Sequence, residues 1–342
     1  MIKKQKFKLK EAALEFKKMR FDMILHKDAE QKVIDLIKIS NDEAKVRALY
    51  GSSHTGKSNF LKNFIKKHAD IIDQHSGIKD IVLVRLSSGV TPKDFCEAIL
   101  LQLGIKPKAG TKQPQLENQV IEVLKNIGIE LLIIDETQHA LPNKTNSKTT
   151  QKLADTIKNI VDESHVPILL CGISSISKLI ENNFSRASEM QLEEEQLFNR
   201  TLPPIEFNTI ELSDKDTMAA VMQGYTMIFD KLHRKYGISI IKMTSAKFQA
   251  TMWASSEGVI GRMALVLQWA IELADEGQQI DFSVLGKAHD AIATGGWDKS
   301  GINPFTCSAV DLNKRITAIN KFSKRARLNA LNKAKAKMKE TA

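Results

Sequence analysis

Two stretches of this chain carry residue types at spacings that suit phosphate chemistry. Residues 51–58 fit G-x-x-x-x-G-K-[ST], with Gly51, Gly56, Lys57 and Ser58 at the specified places. In such a loop the glycines let backbone N–H groups turn inward around phosphate oxygens, the lysine neutralises their charge, and the hydroxyl at the start of the next helix can ligate Mg²⁺. The flanks agree: Val46 to Tyr50 is short and strand-like, and Phe60, Leu61, Phe64 and Ile65 recur at helical spacing. Gly51, Ser53, His54, Thr55, Gly56, Lys57, Ser58 and Asn59 are therefore the expected ATP-binding residues, with Ser58 also a metal ligand. The second stretch, Glu130 to Glu136, sets an apolar run before two carboxylates. A run apolar at every position suits a strand buried on both faces. Asp135 at its end would face Mg²⁺, usually through water, and Glu136 would polarise the attacking water as general base.

The elements that must position these residues are legible around them. Asp80 to Leu86 reads as another buried strand, followed by a helix with Thr91 as N-cap, Pro92 at its first position and Gly104 past its end. An exposed basic loop over 105–114 leads into a helix whose apolar stripe is Leu116, Val120, Val123, Leu124 and Ile127. After the carboxylates come a polar loop over 141–148, a helix through Leu153, Ile157, Ile160 and Val161, and a strand from Val166 to Cys171. A polar stretch, acidic around Glu194, runs to Pro203 and Pro204 before a last strand, Ile205 to Phe207. Apolar strands alternating with helices predict a parallel sheet covered by helices on both faces, with nucleotide at the strand carboxyl ends. From Ser213 on the pattern is helical. The predicted organisation is an α/β fold with an N-terminal helical extension (1–39), a nucleotide-binding core (40–212), a small all-helical lid (213–294) and a basic tail (295–342).

Composition bounds what such a protein can be. Its 342 residues, 42% apolar, suffice for a sizeable core, and the net charge is +10. Residues 1–20 carry eight Lys/Arg against two Glu, and residues 313–342 carry ten against one. Such ends suit phosphate backbones as well as plain solvation. In the tail, Ile316, Ile319 and Phe322 at three-residue steps suggest a short amphipathic helix for a protein partner. Cys96, Cys171 and Cys307 form no metal-ligand or disulfide pattern. No stretch approaches the ~18 apolar residues of a membrane span, and the Lys-rich start lacks a signal peptide's apolar run, so the expected location is cytoplasmic.

The loop, the strand ending Asp135-Glu136 and the later helical region with Gly258, Gly261 and Arg262 together resemble the AAA+ ATPases. Leu49-Tyr50-Gly51, the run Ile134 to His139, Gln196-Leu197 leading to Arg200, and Gly-x-x-Gly-Arg over 258–262 are similar to the TniB/TnsC transposition regulators. The similarity spans roughly residues 20–295. It implies ATP hydrolysis with Mg²⁺ at sites shared between subunits of a ring or filament on double-stranded DNA, disassembly on hydrolysis, and partners that include a transposase and a target-selection protein. It implies that Ser174 senses the γ-phosphate, that Arg200 reaches the next subunit's ATP with Arg186 as competitor, and that Arg262 reaches the nucleotide of its own subunit. Thr201 departs from the aromatic expected after that arginine. DNA contacts implied are Lys93, Lys106, Lys108 and Lys112, with Lys144 and Lys148 as a second set. A replication initiator or helicase loader of the same superfamily, and an ATP-bound DNA scaffold without hydrolysis, are the competing readings. The first usually needs a dedicated DNA-reading domain, and none stands out after residue 295.

Overall fold

The computed structural model describes residues 10–19, 24–40, 43–73, 78–141, 148–177, 179, 197, 200–275, 277–294 and 296–322. Two compact units divide the described residues, one within Leu25–Asn208 and the other formed by α1 (Glu11–Lys18) with residues 209–322.

The first unit is built on a five-stranded sheet. Its strands are β1 (Val46–Gly51), β4 (Ile81–Arg85), β5 (Leu131–Asp135), β6 (Ile168–Gly172) and β7 (Thr201–Phe207), all parallel, in the order β4-β5-β6-β1-β7. The apolar runs are continuous because successive side chains of one strand enter two different cores. Leu132 and Ile134 join a cluster with Phe95, Ile99, Leu116, Val120, Ile157 and Ile160, from α4 (Pro92–Gln102), α5 (Gln113–Ile127) and α6 (Lys148–Ser164). Leu131 and Ile133 join Val33, Leu36, Phe60, Leu61 and Phe64, from α2 (Ile24–Ile39) and α3 (Lys57–His68). The predicted sheet covered on both faces is thus the fold. α4 starts as expected: the Thr91 side chain accepts from Asp94 N–H, and Asp94 accepts from Thr91 N–H.

Sequence and structure part at several points. An antiparallel pair, β2 (Ile71–Asp73) with β3 (Ile78–Lys79), was too short to register as periodicity. β7 starts at Thr201, four residues before the expected Ile205, and contains Pro203 and Pro204. An edge strand tolerates prolines because one side of its backbone needs no ladder partner, and the register with β1 shifts between Arg47 and Leu49, beside them.

The second unit consists of α7 (Lys215–Tyr236), α8 (Ala246–Ser256), α9 (Ile260–Leu273) and α10 (Phe282–Ile292). It also holds a short parallel pair, β8 (Ser239–Ile240) with β9 (Gln279–Ile280), so the region is not purely helical. α1 lays Ala12, Ala13 and Phe16 into its core, with Phe16 stacked 6.2 Å from Tyr225. The expected N-terminal extension is therefore divided between the two units. The expected tail is also partly built in: Phe305 is buried in this core, and Leu312, Ile316 and Ile319 of a helix over 309–322 pack against it. The stripe read as a partner surface mostly covers the chain's own core, while Phe322 is exposed. No helix among the described residues is long and apolar enough to cross a membrane.

Candidate active site

Strand register brings the predicted chemistry to one edge. Arg85 stands opposite Asp135 and Tyr50 opposite Gly172, so β4, β5, β6 and β1 all end at the same side of the sheet. Gly51, the last residue of β1, is a glycine for a steric reason, since an added Cβ would lie 2.1 Å from the Phe207 carbonyl oxygen. The loop then turns through left-handed conformations at His54 and Gly56. Gly56 caps α3 without offering a side chain, and the helix has no acid in its first turn. Its first backbone N–H groups are thereby left for an anion.

Lys57 Nζ donates to the Gly51 carbonyl at 2.8 Å and the Ser52 carbonyl at 2.7 Å, while the Thr55 hydroxyl donates to Ser52 at 2.8 Å. These carbonyls hold the ammonium where phosphate oxygens would otherwise accept from it. Burial lowers the Lys57 pKa, and the charge of Glu136 leads the effects that oppose this. Ser53, His54 and Ser58 are exposed, and the buried Asn59 Oδ1 accepts no hydrogen bond among the described residues.

Asp135 is buried, and both its oxygens are engaged. Oδ1 accepts from Glu136 N–H at 2.9 Å, and Oδ2 accepts from Arg85 Nη2 at 3.0 Å and Nε at 3.3 Å. Glu136 adopts a left-handed backbone with φ 59, an uncommon state for a residue with a Cβ. The Thr137 hydroxyl ties the turn back to Ile134 O at 2.9 Å. His139 Nε2 lies 3.7 Å from Glu136 Oε2, and the Gln138 amide donates to that same oxygen. Ser174 lies two residues past the end of β6, the strand between β5 and β1, and is exposed. A buried carboxylate, a second one beside it, a lysine and an uncapped helix start form a donor set that suits ATP with Mg²⁺. Arg85 was not singled out by sequence reasoning; its only signal was a charge ending an otherwise apolar strand.

The other predicted residues have other settings. Arg200 precedes β7, and its carbonyl accepts from Val46 N–H at 2.7 Å, at the entry of β1. The loop leaves β1 at the opposite end, roughly 16 Å along at ~3.3 Å per residue, so Arg200 does not reach its own unit's phosphate loop. Its Nε pairs with Asp162 at 2.9 Å and its Nη1 with Glu43. In the helical unit Arg262 pairs with Glu257 and lies over the Trp297 ring, 5.4 Å from its centre. Lys93 is 3.6 Å from Glu97, and Lys106, Lys108 and Lys112 are exposed on one loop. Lys148 opens α6, whereas Lys144 and Arg186 lie outside the described residues. His26 is buried between the rings of Phe60 and Phe207.

Residues 19–195, just over half the chain, match the family model described as bacterial TniB protein. No curated protein matches the chain. Among solved structures it is similar to the ORC2 protein of Aeropyrum pernix in ADPNP and ADP complexes (12% identity, 78% of this chain and 66% of that one, TM-score 0.52). It is also similar to the ORC1 protein of Aeropyrum pernix in complex with DNA (15%, 80% and 66%, 0.51) and to Cdc6p of Pyrobaculum aerophilum (12%, 79% and 67%, 0.53). At these identities the likeness is one of fold, the AAA+ ATPase fold. The chain spans about two thirds of the length of these neighbours.

Proposed function

This chain belongs to the TniB family of bacterial proteins, and from that premise we propose that it is an ATP-hydrolysing, DNA-binding regulator of transposition, working in the cytoplasm. The observation that supports the reading is the meeting of Lys57, Asp135, Glu136 and Ser174 at the same side of the sheet, where the loop after β1 and the buried carboxylate ending β5 flank the end of β6.

Each residue then has one task. Lys57, with the N–H groups from Ser53 through Asn59, holds the phosphates; Ser58 and Asp135 hold Mg²⁺, which when bound offsets charge on the transferred phosphoryl group. Glu136 takes the proton of the attacking water, and Ser174 contacts the terminal phosphate. Arg200 acts on the neighbouring subunit's nucleotide, a role consistent with its place at the far end of β1 from its own loop. Arg262 reaches the nucleotide of its own chain. Subunits joined this way form a ring or filament on double-stranded DNA through Lys93, Lys106, Lys108, Lys112, Lys144 and Lys148, by phosphate contacts that carry little sequence information. The DNA-bound ORC1 neighbour lends support to DNA as a ligand. The assembly recruits or activates a transposase, a target-selection protein supplies site choice, and hydrolysis releases the subunits.

The likeness to ORC and Cdc6 favours a second reading, a replication initiator, but it rests on fold alone. Electron microscopy and sedimentation of the protein with duplex DNA test the proposal. ATP-dependent rings or filaments that persist in Glu136→Gln and fail in Lys57→Ala are expected; nucleotide-independent DNA binding by both variants would overturn it.

A further inference from the structure

Gln138 touches two strand ends at once. Its Nε2 donates to Glu136 Oε2, and its Oε1 accepts from Ile173 N–H at 3.2 Å, just past the end of β6. A third, independent observation concerns Gly172, whose backbone is not in the left-handed region. A Cβ built there would lie 2.3 Å from Gln138 Oε1 and 3.0 Å from Ile176 Cγ2. The missing side chain of Gly172 is what leaves room for the Gln138 amide. Glu136, left-handed and partly exposed, is held at Oε2 by this amide, with His139 Nε2 3.7 Å from the same oxygen.

We propose that Gln138 is a positioning residue that ties the general base Glu136 to the end of β6, and that Gly172 is a glycine in order to admit it. The inference rests on the reading of Glu136 as the base. An amide suits the task because it donates to the carboxylate with one end and accepts a backbone N–H with the other. The residue after the bridge is Ser174, so displacement of the β6 end on contact with the terminal phosphate would pass through Ile173 and Gln138 to Glu136. Groups that orient a reacting group from behind typically matter about 10–100-fold in activity.

The test compares hydrolysis rate (kcat) and ATP affinity in Gln138→Ala, Gly172→Ala, their double variant, Gln138→Glu and Glu136→Gln. Gln138→Ala and Gly172→Ala should each lower kcat by about tenfold or more and leave ATP affinity unchanged. The double variant should lose far less than the product of the two single losses, because with the amide gone the new methyl meets only Ile176 Cγ2, at 3.0 Å. Gln138→Glu has no N–H to donate to Glu136 and should therefore lower kcat at least as far as Gln138→Ala, again with ATP affinity unchanged. Unchanged kcat in Gln138→Ala, or multiplied losses in the double variant, would overturn the proposal. Glu136→Gln separates this failure from that of the underlying reading: wild-type hydrolysis there removes Glu136 as base, whereas an inactive Glu136→Gln beside an unaffected Gln138→Ala removes only the bridge.

Discussion

Arg85–Asp135 at the sheet edge and Arg315–Asp298 in the helical unit are the same chemical pair at similar lengths, 3.0 and 2.6 Å. They differ in who can reach them. The Arg85 side chain is 56% exposed and holds a carboxylate that is 3% exposed, whereas the Arg315 and Asp298 side chains are 3% and 4% exposed. Arg315 donates to Asp298, to Ile302 O at 3.2 Å and, through Nε and Nη2, to Ala254 O at 3.0 and 2.9 Å. Asp298 also accepts from Ser300 N–H at 2.9 Å and pairs with His289 Nε2 at 2.8 Å, while His289 Nδ1 meets the Ser255 hydroxyl at 2.8 Å. A buried pair with its hydrogen-bonding capacity spent acts as a staple for the chain after residue 294. A buried carboxylate whose cation faces solvent can exchange that cation for a metal.

The two pairs differ most in what they contribute to stability. Arg315→Ala leaves Asp298 buried beside a lost partner and should cost the helical unit about 3–5 kcal/mol. The chain's three tryptophans, Trp253, Trp269 and Trp297, all lie in that unit. Urea unfolding followed by their fluorescence reads it directly, and an unchanged midpoint would refute the staple. Lys57→Ala should do the reverse. It should lower ATP affinity by roughly a hundredfold, from about 3 kcal/mol of lost charged hydrogen bonding, and leave the tryptophan transition in place, as titration with a fluorescent ATP analogue and the same unfolding curve would establish.

Acid sharpens the contrast further. Burial lowers the His289 pKa below its ordinary value, against the opposing pull of Asp298. Burial raises Asp298, but Arg315 and Ser300 outweigh it and bring the carboxyl to about 2. Both folded values lie below the unfolded ones, so both groups contribute stability that is present at neutral pH and lost on acidification. The loss from His289 begins as pH falls below about 6.5, and that from Asp298 runs from about 4 toward 2. The tryptophan-monitored midpoint should therefore fall between pH 7 and 5; a flat profile would contradict the network. The smallest effect belongs to Arg85→Ala, a half-open pair worth under about 1 kcal/mol to stability. Its signature lies instead in lowering the Mg²⁺ concentration needed for half-maximal ATP binding, because Asp135 Oδ2 is freed.

The same contrast explains what the sequence made visible. The strands declared themselves because burial on two faces makes every residue from Leu131 to Ile134 apolar, and Lys57, Asp135 and Glu136 because phosphate chemistry imposes a spacing. Asp298 and Arg315 are joined across a turn and a helix with no period linking them, so nothing local marks the staple. Ile316 and Ile319 showed an apolar face, but periodicity does not say whether such a face covers the chain's own core or a partner. Gln138 and Gly172 sit beside recognisable motifs, and only the register of β5 with β6 brings them together.

A mixing experiment tests the proposed sharing of ATP sites between subunits most directly. Arg200→Ala, with its own pocket intact, and Glu136→Gln, which keeps Arg200, should each hydrolyse little ATP alone. Combined on DNA, with co-assembly verified, they should recover hydrolysis that peaks near equal proportions, because Arg200 of one chain serves the Glu136 of the other. Co-assembled mixtures that stay inactive at every ratio would contradict action across subunits and leave Arg200 as the structural partner of Asp162 and Glu43.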